Sequence, residues 1–504
     1  MTSQRSQAVL LALACLLGLV VVIATFRRTT PPAPDPQPAV TSETPKADPV
    51  ALYRPTVVPD RIILTFASDP ATSQAVTWRT DTTVKAPVAE FALAADGPVF
   101  EKGWRGYDEK LVKRLAARTE RLTADGHHAH YHSVNFTDLA PKTKYVYRVG
   151  DGSNWSEWFQ FETASKDPEP FGFIYFGDAQ NGIRSLWSRV ARGAYSDMPK
   201  ARFIVHAGDL VDAGNSDPQW GEWHAAAGWI NGMVPSVPAP GNHEYSDPKG
   251  ITRHWRPQFT LPEHGPEGLT ETCYFLDYQG VRVVVLNSNE KHAEQAAWLE
   301  KTLATNPNRW TVVTFHHPFY SPVAGRDNPA VREAWRKVFD AVPKGVDLVL
   351  QGHDHTYGRS GLMREDNRLD GTQVQTARGT VYVVSVSGAK LYTGGDLTWM
   401  KRRGSGAQLY QLIRVEGDEL VYESRTARGD LYDAFRLKKR ADGGNDLIEG
   451  ENPPGPEGPS GPDTPAVAGG NGGGVGARGA WNAVVAVVIL ALVALAVGWA
   501  VRGR

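Results

Sequence analysis

Apolar residues along this chain follow one period in its first third and others beyond, and the change marks a domain boundary. Short alternating runs occupy residues 62–66, 75–79, 89–93, 131–136 and 144–149, separated by Pro, Asp and Gly turns. Alternation at period 2 with regular turn spacing predicts an antiparallel β-sandwich of about 100 residues. From Phe171 the texture changes. Unbroken apolar and β-branched runs at 171–176, 203–207, 234–240, 311–315 and 346–350 read as strands buried on both faces. Helix-period stretches at 185–195, 293–304 and 330–342 alternate with them, which predicts βαβ units and a mostly parallel sheet. Residues 408–415, 419–423 and 433–438 add closing strands.

The chain ends break the pattern. Residues 8–26 are apolar and uncharged between Arg5 and Arg27-Arg28, so 1–28 reads as a signal peptide or an N-terminal membrane anchor. A Pro-rich linker follows at 29–51, and a Gly/Pro-rich linker spans 441–480. Residues 483–501 are uncharged and long enough to span a bilayer, with Trp481 before them and Arg502 and Arg504 after. The segment 481–504 is therefore expected to be a C-terminal transmembrane helix with a basic, cytoplasmic tip. Domains are expected at 52–165 and 168–440, anchored to the membrane on its extracytoplasmic side.

Composition narrows the function. The formal net charge of −1 over 504 residues gives no broad basic field for a nucleic-acid backbone. No G-x-x-x-x-G-K loop occurs, which argues against ATP-driven chemistry. Cys15 and Cys273 cannot build a disulfide framework, and Cys273 is expected to be an inert buried thiol. The oligomeric state is not legible.

Each of the five buried runs ends in a cluster able to ligate metal. The clusters are Gly177-Asp178, Gly208-Asp209, Gly241-Asn242-His243-Glu244, His316-His317-Pro318 and Gly352-His353-Asp354-His355. In open α/β sheets ligands bind at the carboxyl ends of strands. Two metals about 3.5–4 Å apart need a shared anionic ligand, a part that suits Asp209. Carboxylates with imidazoles and an amide oxygen suit Fe, Mn or Zn. A second set, His127, His128, His130 and His132, lies on one expected strand with no carboxylate among them; a structural role explains it.

The order G-D, G-D, G-N-H-E, H-x-P, G-H-x-H resembles the calcineurin-like metallophosphoesterase superfamily, and within it the purple acid phosphatase branch. The resemblance implies a four-layer α/β/β/α metallophosphoesterase sandwich. Residues 139–147 resemble the strand-turn-strand signature of fibronectin type III modules, so a fibronectin type III-like β-sandwich is expected first. The full expectation is this α/β fold with transmembrane segments at both chain ends. The resemblance further implies two metal ions. One would be held by Asp178, Asp209 and His355, the other by Asp209, Asn242, His316 and His353. His243 would be the catalytic acid or a phosphate contact.

Two positions depart from the family. Asp212 stands where purple acid phosphatases have an iron-binding tyrosine. Gln180 stands where the wider superfamily often has histidine. Both are candidates to ligate or support a metal, and a colourless enzyme is expected. His317, Tyr320 and Tyr357 are candidate rim groups for substrate. The implied reaction is hydrolysis of phosphomonoesters by a metal-bound hydroxide. A phosphodiesterase or nucleotidase on the same site is the alternative, and a non-catalytic surface binding protein a further one.

Overall fold

The computed structural model describes residues 47–245, 250–341, 345–364 and 379–450. The five cluster-bearing runs form strands Phe171–Phe176, Ile204–Ala207, Ser236–Ala239, Trp310–Thr314 and Leu348–Gln351. The first three are the parallel centre of an eleven-stranded sheet, in register through Ile204 opposite Ile174 and Ser236. Antiparallel strands Leu409–Glu416, Glu419–Thr426, Leu431–Lys439 and Asn445–Glu449 extend it to one edge. A second sheet of seven strands opens with the hairpin Tyr274–Tyr278/Val281–Val285. It continues in parallel through Trp310–Thr314, Leu348–Gln351 and Val381–Val384.

Period-2 alternation decides which face each side chain serves. Val283, Val285, Val312, Leu348 and Leu350 belong to the core shared with Phe173, Ile174 and Val205 of the first sheet. Their neighbours Val284, Val313 and Val349 turn the other way. They pack with Leu299 and Leu303 of helix His292–Ala304 and with Trp335 and Phe339 of helix Pro329–Ala341. On the far side, helices Ser188–Asp197 and Asp217–Ala227 cover the first sheet with Val190, Ala194, Trp220 and Trp223. The result is helix, sheet, sheet, helix.

Helix Asp217–Ala227 escapes a periodicity search because Trp220, Gly221, Trp223, His224, Ala226 and Ala227 are all buried, so no polar stripe develops. The expected helix at 185–195 is a short π turn, Ile183–Trp187, leading into Ser188–Asp197. Strand Asn445–Glu449 carries folded structure past residue 440. Two contacts hold it: Arg359 Nη2 donates to the exposed Glu449 Oε2 at 2.7 Å, and buried Asn445 Nδ2 donates to Asp347 Oδ1 at 2.7 Å.

The N-terminal domain is a β-sandwich, but it does not stand alone. Its strands Asp60–Thr65, Gln74–Thr80, His127–Phe136 and Arg118–Ala124 continue the eleven-stranded sheet, because Thr65 pairs in parallel with Ser236. The opposing sheet is Lys113–Ala116, Val88–Leu93, Lys144–Gly150 and Phe159–Glu162. Leu64, Val76, Trp78, Phe91, Phe136 and Tyr147 fill the space between. Charge seals the joint: buried Asp217 accepts from Arg61 Nη1 at 2.7 Å and from Arg79 Nη1 at 3.0 Å. Such a pair is better evidence for a specific docking geometry than for net stability.

One part of the expected fold is corrected. Among the described residues no helix is long and apolar enough to cross a membrane, and transmembrane segments at the chain ends do not belong to the fold class. The apolar runs 8–26 and 483–501 that prompted the expectation lie outside the described residues. The fold is an α/β sandwich with an N-terminal β-sandwich. Cys273 is free and buried, and burial pushes its thiol pKa up, as an inert core thiol requires.

Candidate metal centre

The chain turns sharply as it leaves two of the strands, Ile204–Ala207 and Leu348–Gln351, and those turns carry three of the ligands. Asp209, His353 and His355 take positive φ values of 50°, 75° and 42°. Left-handed backbone is costly for a non-glycine residue and persists where the surroundings enforce it. Glycines make room: a Cβ at Gly241 would strike the Asp209 carboxylate, and one at Gly352 the Asp178 carboxylate.

Two groups of potential ligands converge among the described residues. In one, ligand atoms of Asp178, Asp209 and His355 lie within 4.8 Å of one another; in the other, those of His316, His317 and His353 do. Asp209 links the two, with Oδ2 3.1 Å from His316 Nε2 and 3.0 Å from Gln180 Nε2. Asn242 Oδ1 lies 3.0 Å from both His316 Nε2 and His353 Nδ1. The six principal residues predicted from the sequence thus share one site.

Backbone carbonyls set the tautomers. His316 Nδ1–H donates to Ala207 O at 2.8 Å, and His355 Nδ1–H donates to Lys390 O at 2.8 Å. Each leaves Nε2 as the atom facing the carboxylates, the usual way a ligating histidine is oriented. The field is strongly negative. Burial opposes the charged form of His316, but Asp209 and Asp178 prevail and raise its pKa to about 10. Burial resists ionisation of Asp178 as well, yet the charges of His355, His316 and His353 hold it well below the carboxylate range. Burial, then the charge of His316, lowers His353 to about 3. Concentrated negative charge, a carboxylate reaching both groups and the unpartnered buried Gln180 Oε1 fit a pair of hard or borderline cations.

The remaining candidate residues separate in space. Gln180 is inside the site, with its amide nitrogen also 3.0 Å from His355 Nε2. Asp212 is not a member of either ligand group. Its carboxylate side chain is 42% exposed and stands 3.8 Å from His243 Nδ1, while its backbone carbonyl accepts the His243 Nδ1–H. His243 therefore presents Nε2 toward Asp209, 3.9 Å away. His317 sits at the rim, its ring centroid 4.5 Å from that of His353 and its Nδ1 2.8 Å from Ser288 Oγ. Tyr320 and Tyr357 are elsewhere: Tyr320 packs in the outer core with Trp335 and Trp399, and the buried Tyr357 hydroxyl donates to Asp433 at 2.7 Å. Both side chains face away from the ligand groups.

Glu244 does more than the sequence revealed. Its carboxylate accepts from Asp209 N and Leu210 N at 2.9 Å and from Gly241 N at 2.8 Å. One buried side chain thus ties the second cluster to the third. Burial, then the Asp209 charge, pushes its pKa to about 8 against those amide donors. The Glu after Asn-His was the only sequence signal.

The family described as the purple acid phosphatase N-terminal domain matches residues 59–163, and the calcineurin-like phosphoesterase family matches 172–357. The chain thus carries a purple acid phosphatase N-terminal domain followed by a calcineurin-like phosphoesterase domain, and its relatives include purple acid phosphatases. It is 24% identical over 352 residues to probable inactive purple acid phosphatase 27 of Arabidopsis thaliana, covering 61% of this chain and 57% of that one. The chain thus spans little more than half that relative's length. Acid phosphatase type 7 of Homo sapiens is 25% identical over 374 residues, covering 67% of this chain and 79% of its own. A purple acid phosphatase from yellow lupin seeds shares the fold, with a TM-score of 0.64 at 19% identity, over 77% of this chain and 75% of its own.

Proposed function

We propose that this protein is a metal-dependent phosphohydrolase acting on phosphomonoesters. The observation that carries the reading is convergence: Asp178, Asp209, Asn242, His316, His353 and His355 meet at five strand ends with Asp209 reaching both ligand groups. When bound, two cations held there acidify a water, orient the phosphate and neutralise its oxygens. Fe, Mn and Zn all suit the donor set.

The chain's own residues supply the rest. His243 is fixed through Nδ1 by the Asp212 carbonyl, so Nε2 can deliver a proton to the leaving oxygen. His317, held by Ser288 beside His353, is the candidate rim contact for substrate. Gln180 offers a buried amide oxygen without a partner, at the position where the wider superfamily often has histidine. Extracytoplasmic location belongs to the same proposal and rests on the leader-like residues 8–26 alone; protease accessibility on intact cells tests it.

The deciding assay compares p-nitrophenyl phosphate with bis(p-nitrophenyl) phosphate in manganese, zinc and iron. Monoester preference that vanishes in Asp209→Ala supports the reading. Diester preference replaces it with a phosphodiesterase, and silence with metal bound makes the protein a binding module.

A further inference from the structure

A cleft at the joint between the N-terminal sandwich and helix Asp217–Ala227 shares no residue with the metal centre. Its volume is about 250 Å³, room for several water molecules at about 30 Å³ each. Arg61 and Phe159 of the sandwich, His224 of the helix, and Tyr53 and Trp229 are among its walls.

Two of these residues each keep one buried polar atom without a partner. Arg61 is 7% exposed and takes a φ of +50° at a bulge in strand Asp60–Thr65. Its Nη atoms donate to Asp217 and Tyr131, which fixes the guanidinium and leaves the Nε–H donor unused. His224 is 6% exposed. Gln258 Nε2 donates to His254 O at 3.1 Å, so the Gln258 oxygen is the acceptor for His224 Nε2–H at 3.0 Å. His224 Nδ1 is then a bare lone pair, and it too has no partner. Burial, then the charge of Arg61, lowers the His224 pKa to about 3, which keeps that lone pair free of a proton. A buried donor and a buried acceptor are both costly to leave unpaired. A hydroxyl, which accepts and donates, answers both.

The walls favour a ring. Trp229 keeps 52% of its surface exposed although Tyr195 braces it edge-on, with ring centroids 5.0 Å apart. Tyr53 rests against the helix at Gly221, where a Cβ would strike its ring. The C–H face of a sugar ring is weakly positive and stacks on the negative face of such aromatics. Two carboxylates of the same cleft can accept further hydroxyls: Asp60, held by Arg79 at 2.6 and 2.9 Å, and the exposed Glu157. A few placed polar groups among aromatic walls at a domain junction is the usual anatomy of a small-molecule site. We propose that this cleft is a carbohydrate-binding site, in which one sugar ring stacks on Trp229 while its hydroxyls bond to Arg61 Nε and His224 Nδ1. The site holds the protein on a glycan and takes no part in hydrolysis.

Saturation-transfer NMR and calorimetry on the full-length protein test this. The probes are the methyl glycosides of glucose, galactose, mannose and N-acetylglucosamine, with choline as a small organic cation. At least one glycoside is expected to bind with a Kd of about 5 mM or below, and choline is expected not to bind. Trp229→Ala should weaken the glycoside roughly tenfold or more. Trp104→Ala removes a tryptophan that is 64% exposed outside the cleft, and it should leave binding unchanged. Circular dichroism checks that both variants are folded. Among the deoxy forms of the bound glycoside, one should lose most of its affinity for wild type and nothing further in His224→Leu. Absence of any glycoside binding at about 20 mM overturns the proposal. Binding that survives Trp229→Ala overturns it as well. So does binding of choline in place of the glycosides, which would make the cleft a cation cage.

Discussion

Strand His127–Phe136 and the segment Gly352–His355 both carry closely spaced histidines, yet they lead to different chemistry. On the strand three of the imidazoles are each held by separate neighbours. His132 meets Thr80 Oγ1 at 2.8 Å and Thr119 Oγ1 at 2.9 Å; His128 meets Thr123 Oγ1 at 2.8 Å; His130 meets Val84 O at 3.2 Å. In the segment, positive φ at 353 and 355 accompanies rings that face other ligand residues, the Asn242 amide oxygen for His353 and the Asp178 carboxylate for His355. His353 and His355 each keep a nitrogen facing Asn242 or Asp178. Residue type and spacing are nearly the same. What distinguishes a ligand set is a backbone bent so that several donors point at one place, with each far nitrogen occupied.

The sharpest way to break this contrast is Asp209→Ala. Losing the carboxylate that links both ligand groups should remove several kcal/mol of transition-state stabilisation, roughly a thousandfold or more in kcat/KM. Elemental analysis should find the metal gone, whereas His130→Gln should retain the wild-type content. His243→Asn comes next, with a loss of about 10²-fold or more in kcat. Alkyl phosphates should suffer more than p-nitrophenyl phosphate, whose leaving group needs no proton; equal losses would remove His243 as the acid.

Glu244→Gln keeps the shape but turns one acceptor into a donor facing backbone N–H groups. A destabilisation of about 1–3 kcal/mol in chemical denaturation is expected, with metal affinity weakened roughly 10–100-fold. His132 carries a smaller effect, set by pH. Burial, then the charge of His130, lowers its pKa from 6.5 to about 4, so it is neutral in the fold. The unfolded chain takes up the proton first; its contribution is full above pH 6.5 and is lost as pH falls toward 4. Thermal melts of His132→Gln should lose less Tm than wild type across that window. The mildest expectation is optical: iron-loaded protein should lack an intense visible band, because Asp212 replaces the tyrosine. Such a band would show a phenolate reaching the iron.

The site was legible because its strands are buried on both faces and end in short, recognisable clusters. The supporting contacts were not. Nothing local marks Glu244 as the clamp on Asp209, since its donors come from residues 209, 210 and 241. Arg326 is contiguous with no ligand and meets His353 only through tertiary folding. Tyr320 and Tyr357 lie close to ligands in sequence and face away, which proximity along a chain cannot reveal. The hairpin Tyr274–Tyr278/Val281–Val285 was within reach, with Gln279-Gly280 at positive φ as its two-residue turn. The strand at 445–449 was hidden by Gly and Asp residues before it that look like linker.

The pairing of Thr65 with Ser236 matters to anyone who would dissect the chain. Cutting at the apparent boundary near residue 168 would strip strand Ser236–Ala239 of its neighbour. It would leave a parallel, apolar strand edge bare, a template for sticking to other copies. The phosphoesterase half made alone should therefore precipitate or misassemble, and the N-terminal module behaves as a built-in edge protector.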